Sequence, residues 1–176
     1  MTMVESFSNN SSLQYMLDRS AVEEVISGFA LVQDVKKFML VEKFLSEDVV
    51  FDYVSVFGGE PFSGRTNIFE WILTRIPGYD ATQHLISNFQ ITIEGRFARV
   101  RSHVRATLVI DDSSCIIGGH YLHELHKEGD GRWRITLLRF TKLYSEGDAA
   151  VPVAAATRAA AWLADNPLVT DQEAWL

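Results

Sequence analysis

The second half of the chain most restricts the possible folds, because it reads as four long strands joined by short turns. Residues with strand character occupy 82–93, 98–110, 115–127 and 133–144. The connecting segments, 94–95, 111–113 and 128–131, are rich in Gly, Asp, Glu and Ser, which is typical of turns. Connections this short join antiparallel neighbours, since parallel strands need a crossover of about a dozen or more residues. The sequence therefore predicts an antiparallel meander.

The segment 98–110 predicts that one face of this sheet is covered and the other is wet. Its even-numbered and odd-numbered residues point to opposite faces. One side carries Arg99, Arg101, His103 and Arg105, and the other carries Ala98, Val100, Ser102, Val104 and Ala106. This alternation is typical of an antiparallel sheet with one face packed on a core.

The first half of the chain is mainly helical in pattern. Apolar residues recur at helical spacing over 13–29, and the first helix is expected to begin at Ser11–Ser12 or at Ser20, which forms a capping box with Glu23. Asp34 is then expected to open a second helix as its N-cap. A strand is expected over 49–56, and a third helix over 65–76, where Pro77-Gly78 ends it.

The last thirty or so residues differ in composition from the rest. The segment 153–164 is rich in alanine and is expected to be helical. Its apolar residues predict docking across the sheet, across a pocket mouth or on a neighbouring subunit, with disorder of the last few residues as the alternative. We therefore divide the chain into a domain over 11–146 and a C-terminal helical tail over 147–176.

This element order indicates an α+β fold. Three N-terminal helices are expected to pack on a strongly curved, mixed or antiparallel sheet, which gives a cone-shaped α+β barrel. A bent sheet and its covering helices enclose a space suited to a small molecule.

Composition narrows the functional classes. The formal net charge is −7 and no long basic cluster is present, which argues against nucleic-acid binding. The single cysteine, Cys115, allows no internal disulfide and is expected to be a buried, unreactive thiol. The first ten residues lack a signal-peptide pattern, and no apolar run approaches the roughly 20 residues that span a membrane. We expect a cytoplasmic protein without membrane contact.

Several short motifs, taken in order, resemble a known family. They are Asp34, the segment 47–53 (Glu-Asp-Val-Val-Phe-Asp-Tyr), 62–65 (Phe-Ser-Gly-Arg), 82–84 (Thr-Gln-His), 118–121 (Gly-Gly-His-Tyr) and 130–135 (Asp-Gly-Arg-Trp-Arg-Ile). Their order and separation resemble the SnoaL-like group of the nuclear transport factor 2-like superfamily, and within it scytalone dehydratase.

The resemblance implies roles for specific residues. Asp34 and His84 correspond to a catalytic aspartate–histidine pair, and Tyr53 to a tyrosine that positions a substrate oxygen through water. His120 falls at a polar pocket position, and Asn88 shares the strand face of His84, so both are candidates for substrate binding. The alternatives are a helix cap for Asp34, a core histidine for His84 and an ordinary strand aromatic for Tyr53. We expect His103 and His126 to be solvated.

The chain also departs from scytalone dehydratase. Gln33 stands where that enzyme has a second substrate-directing tyrosine, and residues 107–109 contain no counterpart of its second catalytic histidine. Scytalone itself is therefore not the expected substrate.

No metal-ligand spacing, phosphate loop or nucleophile elbow occurs in the sequence, and we expect neither a metal nor an organic cofactor. The preferred hypothesis is a lyase or isomerase that abstracts a proton from a small, apolar cyclic, polyketide-like or aromatic substrate. The alternatives are a binding or oligomerisation module of the same fold and a small subunit of a ring-hydroxylating oxygenase. We also expect a homo-oligomer, either a dimer or a trimer.

Overall fold

A mixed six-stranded sheet forms the centre of the structure. The structure is a computed structural model, which describes residues 3–168, with side chains from residue 11 onward. The strands are β1 (Leu45–Asp52), β2 (Phe62–Ser63), β3 (Ala81–Glu94), β4 (Phe97–Ile110), β5 (Ser113–Lys127) and β6 (Trp133–Gly147). Their order across the sheet is β2-β1-β6-β5-β4-β3. β3 to β6 form the antiparallel meander that the sequence predicts, and β1 pairs with β6 in parallel.

Irregular pairing bends this sheet. The register shifts between Ser87 and Gln90 in the β3–β4 pair, and twice along the β5–β6 pair. A bulge bends its strand and increases the local twist. The sheet therefore curves around the helices, as the predicted cone requires.

The helices differ in detail from the prediction. They are α1 (Met3–Asp34), a 3₁₀ helix (Phe38–Phe44), α2 (Val54–Phe57), α3 (Arg65–Leu73), a second 3₁₀ helix (Ile76–Gly78) and α4 (Ala150–Asp165). Among the described residues, no helix combines the length and apolar character that a membrane span requires.

Four boundaries predicted from the sequence are wrong, and one of them is the end of the third helix, which lies at Leu73 and not at residue 76. Ser11 and Ser20 both lie inside α1, so neither starts it. Asp34 is the last residue of α1 and not the N-cap of a second helix, because Lys36 turns the chain with a φ of +57°. The strand predicted over 49–56 ends at Asp52, and the next residues form the single turn of α2.

The main core lies between α1, α3 and the inner, concave face of the sheet. Fully buried side chains include Ile26 from α1, Phe51 from β1, Ile72 from α3 and Leu138 from β6. On β4, alternate residues Ala98, Val100 and Val104 are buried and the arginines between them are exposed. The predicted covered and wet faces are confirmed.

The C-terminal helix docks on the rest of the chain. Val151 and Ala155 of α4 join a buried cluster with Tyr79, Leu108, Ile110 and Cys115. Trp162 packs edge-on against Phe38, with ring centroids 6.0 Å apart. The described part of the tail thus covers one end of the sheet beside the 76–79 segment, and the disorder predicted for the last few residues falls in 169–176, outside the described residues.

Candidate active site

One carboxylate, that of Asp34, connects the end of α1 to the start of β3. Its Oδ1 accepts a hydrogen bond from Thr82 Oγ1 at 2.7 Å, and its Oδ2 accepts one from the backbone N–H of His84 at 2.8 Å. The ring Nδ1 of His84 lies 2.6 Å from Asp34 Oδ1. Three contacts from one strand fix this carboxylate, so the interpretation of Asp34 as a helix cap is wrong.

These contacts set the protonation state of Asp34. Burial by itself favours the neutral acid, but the hydrogen bonds and charge of His84, together with the Thr82 hydroxyl, outweigh it and lower the pKa of Asp34. An ionised carboxylate only accepts hydrogen bonds, so Nδ1 of His84 must carry the hydrogen. When the imidazole is in its neutral form, its lone pair therefore lies on Nε2, which has no partner in the described part of the chain.

His84 lines a cavity of about 90 Å³ beneath the helices. The remaining walls are mostly aromatic and aliphatic. They comprise Gln33, Tyr53, Val56, Phe57, Trp71, Arg75, Ile76, Tyr79, Val104, Ala106, Leu108, Ile117, Tyr121 and Phe140. The side chains of Asp34 and His84 are only 12% and 13% exposed. A largely buried proton acceptor therefore borders a mostly apolar space.

Two phenols share this cavity with His84. The hydroxyl oxygens of Tyr53 and Tyr121 lie 3.5 Å apart, and both rings contact Phe140. Burial raises the pKa of Tyr121 to about 12, and burial together with the neighbouring Tyr121 raises the pKa of Tyr53 well above its ordinary value. Both phenols therefore remain protonated at neutral pH and can donate hydrogen bonds to an oxygen in the cavity.

The structure places two predicted pocket residues elsewhere. His120 and Asn88 border a groove on the outer face of the sheet, and His120 stacks on His103 with ring centroids 4.9 Å apart. Asn88 has a φ of +58° and lies in the bulge between Ser87 and Gln90. A one-residue slip reverses the face to which later residues point, so the expectation that Asn88 shares the face of His84 is wrong. The side chain of His120 points to the outer face, because the next residue of the strand, Tyr121, points to the core.

Sequence reasoning missed three polar residues of the cavity, namely Arg75, Tyr79 and Tyr121, and it named Gln33 only as a departure from scytalone dehydratase. Tyr121 directly follows the predicted site residue His120, and the two point to opposite faces of β5. The prediction took the face of His120 as the inner one, whereas the face of Tyr121 is buried. Arg75 lies beyond the end of α3, in a segment predicted to be helix, and its position follows from the turn at Thr74. Gln33 donates to the carbonyl of Phe29 in the preceding turn of α1.

The remaining candidates follow expectation in their exposure. His103 and His126 are exposed, and Cys115 is buried, which raises the pKa of its thiol. The described side chains contain no group of His, Cys, Asp and Glu residues that could hold a metal ion.

Comparison with protein families identifies the fold. The family model described as a SnoaL-like domain matches residues 14–139, which is most of the chain. The chain belongs to the SnoaL-like family. A comparison with curated protein sequences finds no significant match.

Solved structures share the SnoaL-like fold over most of their length. The Kfla4162 protein from Kribbella flavida is 23% identical, with a TM-score of 0.68, covering 75% of this chain and 95% of its own. A scytalone dehydratase-like protein from Novosphingobium aromaticivorans DSM 12444 is 20% identical, with a TM-score of 0.67 and coverage of 78% and 91%. The hexachlorocyclohexane dehydrochlorinase LinA-type3 from Novosphingobium barchaimii LL02 is 16% identical, with a TM-score of 0.67 and coverage of 80% and 96%.

Proposed function

We propose that this SnoaL-like protein is a cofactor-independent lyase or isomerase that removes a proton from a small cyclic, polyketide-like or aromatic substrate. The observation that carries the proposal is the 2.6 Å contact between His84 Nδ1 and Asp34 Oδ1 at the wall of an apolar cavity. The solved neighbours named as dehydratase-like and dehydrochlorinase proteins support the same reaction class.

In the proposed reaction, His84 is the general base. Its Nε2 takes a proton from a carbon next to a carbonyl group or opposite a leaving group, and the ring becomes an imidazolium. Asp34 holds the ring in the required tautomer and stabilises that cation, since its carboxylate is already ionised. In an elimination the electron pair expels the leaving group. In an isomerisation His84 returns the proton to a different carbon.

Tyr53 and Tyr121 have the complementary role. Their protonated hydroxyls donate hydrogen bonds to the substrate oxygen that gains negative charge as the proton leaves. Such donors in a site with little water stabilise developing charge more strongly than water does. A neutral phenol is suited to this role because burial keeps its pKa high.

The contact between Asp34 and His84 also favours this proposal over a binding module. A module that only holds a ligand gains nothing from an ionised carboxylate buried beside an imidazole, since desolvating a charge costs free energy. The same pair is required if the imidazole becomes charged during turnover. A subunit of a ring-hydroxylating oxygenase has no such requirement either.

The test follows proton removal directly. The purified protein is incubated in D₂O with a panel of cyclic ketones, cyclic alcohols and β-hydroxy ketones, and NMR records deuterium uptake and alkene products. We expect exchange or elimination for at least one compound, and a loss on the order of 10² to 10⁴ in rate for His84→Ala.

The matched control is His126→Ala, which removes an exposed histidine on the outer face. Its rate should equal that of the wild type. Equal rates for His84→Ala and the wild type would exclude the base role. Binding of panel members without exchange or product would favour the binding module.

We further propose that the protein acts as a homo-oligomer in the cytoplasm, with the outer face of the sheet as the contact surface. Leu85, Leu143 and Tyr144 are 51%, 60% and 42% exposed and border one outer groove of about 450 Å³. A second copy would cover these apolar side chains. Light scattering should show a dimer or trimer for the wild type and a smaller particle for Leu143→Asp.

A further inference from the structure

One charge in the candidate active site has no counter-ion. Arg75 lines the cavity beside His84, and its guanidinium carbon lies 4.5 Å from the ring centroid of Trp71 and 5.2 Å from that of Phe57. Its Nη1 donates to Thr74 Oγ1 at 2.7 Å and to the Trp71 carbonyl at 3.4 Å. Within the described part of the chain, no carboxylate pairs with it.

The other arginines show why this is unusual. Six of them form ion pairs with Asp or Glu: Arg19, Arg65, Arg99, Arg134, Arg139 and Arg158. Those without an ion pair among the described residues, apart from Arg75, are exposed, so water solvates them: Arg96, Arg101, Arg105 and Arg132. Arg75 alone in this set is half-buried without a carboxylate.

Half-burial without a carboxylate is costly for a cation. Burial lowers the pKa of Arg75, which shows that its surroundings disfavour the charge, although a guanidinium remains charged in proteins. The faces of Trp71 and Phe57 compensate only in part. Asp34 is not available as a counter-ion, because hydrogen bonds from His84 and Thr82 occupy its carboxylate.

The unused donors of Arg75 define what would complete the site. Nε and Nη2 have no acceptor among the described residues, and together they form one edge of the guanidinium. Arg99 uses the same two atoms to bind a single carboxylate oxygen, Oε1 of Glu124, at 3.1 and 2.7 Å. That edge matches the two oxygens of a carboxylate.

We propose that the ligand of this cavity carries a carboxylate on a single ring, and that Arg75 binds the carboxylate while the ring lies among the aromatic walls. The inference rests on the proposed function for its site and adds the class of substrate, a monocyclic carboxylic acid. The cavity, of about 90 Å³, is smaller than an engineered cavity of about 150 Å³ that binds one benzene ring, which argues against fused rings. Arg75 is a binding residue in this assignment, and His84 remains the base.

The test compares two probes of nearly equal shape, benzoate and the uncharged benzamide, by calorimetry and by NMR shifts of the cavity residues. Wild-type protein should bind benzoate at millimolar concentration or below, and at least about tenfold more tightly than benzamide. Arg75→Gln should remove this preference and leave benzamide binding within about threefold. Arg75→Lys should retain part of the preference, because lysine keeps the charge and loses the fork.

Two controls make the result specific. Arg105→Gln removes an exposed arginine on the outer face and should leave the benzoate preference unchanged. His84→Ala should also retain the preference while losing proton abstraction, so failure of the charge assignment and failure of the base assignment give different results. Equal binding of the two probes to the wild type, no benzoate binding at millimolar concentration, or a preference that survives in Arg75→Gln would each overturn the proposal.

Discussion

Both faces of the sheet carry histidines, but those on the outer face are exposed to solvent and those on the inner face are largely buried. The outer face bears exposed histidines, His103 and His120, stacked beside arginines in open grooves. The inner face holds His84, which a buried carboxylate fixes, and His123, which is 1% exposed and has no hydrogen-bond partner for Nδ1 in the described part of the chain. Residue type alone therefore does not indicate chemistry in this sheet. Burial and a fixed partner decide it.

The largest expected effect comes from comparing a carboxylate of the inner face, Asp34, with one of the outer face, Glu124. Asp34→Asn keeps the shape of the side chain but removes the charge that supports an imidazolium at His84. We expect the deuterium-exchange or elimination rate to fall on the order of 10² to 10⁴-fold. Glu124→Gln, which alters an outer-face carboxylate paired with Arg99, should leave the rate within about twofold. Similar losses in both variants would show that the inner face has no special role.

Much of this difference between the faces could be predicted from the sequence. The alternation over 98–110 separates wet from dry side chains because each strand residue points opposite to its neighbour. The Asp34–His84 pair came from the family resemblance, and the structure brings the two residues together across 50 positions of the chain.

The errors have local physical causes. Asn88 adopts a φ of +58° in a bulge, and its alternation prediction fails there, because pattern analysis assumes an unbroken register. Asparagine tolerates this conformation better than most residues, which is the one local signal available. Arg75 lies at the cavity because α3 ends before it, and Tyr121 lies there because its side of β5 is the buried one. Both features depend on tertiary packing.

The next expected effect concerns the cluster beneath α4, which extends the inner side of the sheet. A Cβ at Gly78 would lie 1.9 Å from the carbonyl oxygen of Ala155. Gly78→Ala should therefore lower the free energy of unfolding by about 1–3 kcal/mol, measured by urea denaturation. Gly129→Ala, whose Cβ would have no heavy atom within 4 Å, should change it by less than about 0.5 kcal/mol. An unchanged midpoint for Gly78→Ala would contradict the docking of α4.

A smaller effect compares the inner and outer histidines through pH. Burial lowers the pKa of His123 to about 3 from 6.5. As the pH falls through about 6.5, the unfolded chain takes up a proton at His123 and the folded chain does not, so the folded state loses stability. Between pH 6.5 and 5.0 the loss from this residue is about 2 kcal/mol.

Urea denaturation at both pH values measures this loss. His123→Phe should be about 2 kcal/mol less sensitive to the same pH change than the wild type, while His120→Gln on the outer face should match the wild type. Equal pH sensitivity for His123→Phe and the wild type would show that the buried imidazole is not the source.

The smallest expected effect lies on the outer face itself. Arg99 donates to Glu124 through Nε and Nη2, but its side chain is 53% exposed and that of Glu124 is 26% exposed. Water and salt screen such a pair, so Arg99→Ala should lower the free energy of unfolding by only about 0.2–1 kcal/mol, and less at high salt. A double-mutant cycle with Glu124→Ala isolates the pair from other effects of each substitution. A coupling energy well above 1 kcal/mol that persists in high salt would mean that this face is shielded from water, as it would be if a second copy of the chain covers it. The same Nε and Nη2 geometry would then be strong on both faces, and the contrast between them would disappear.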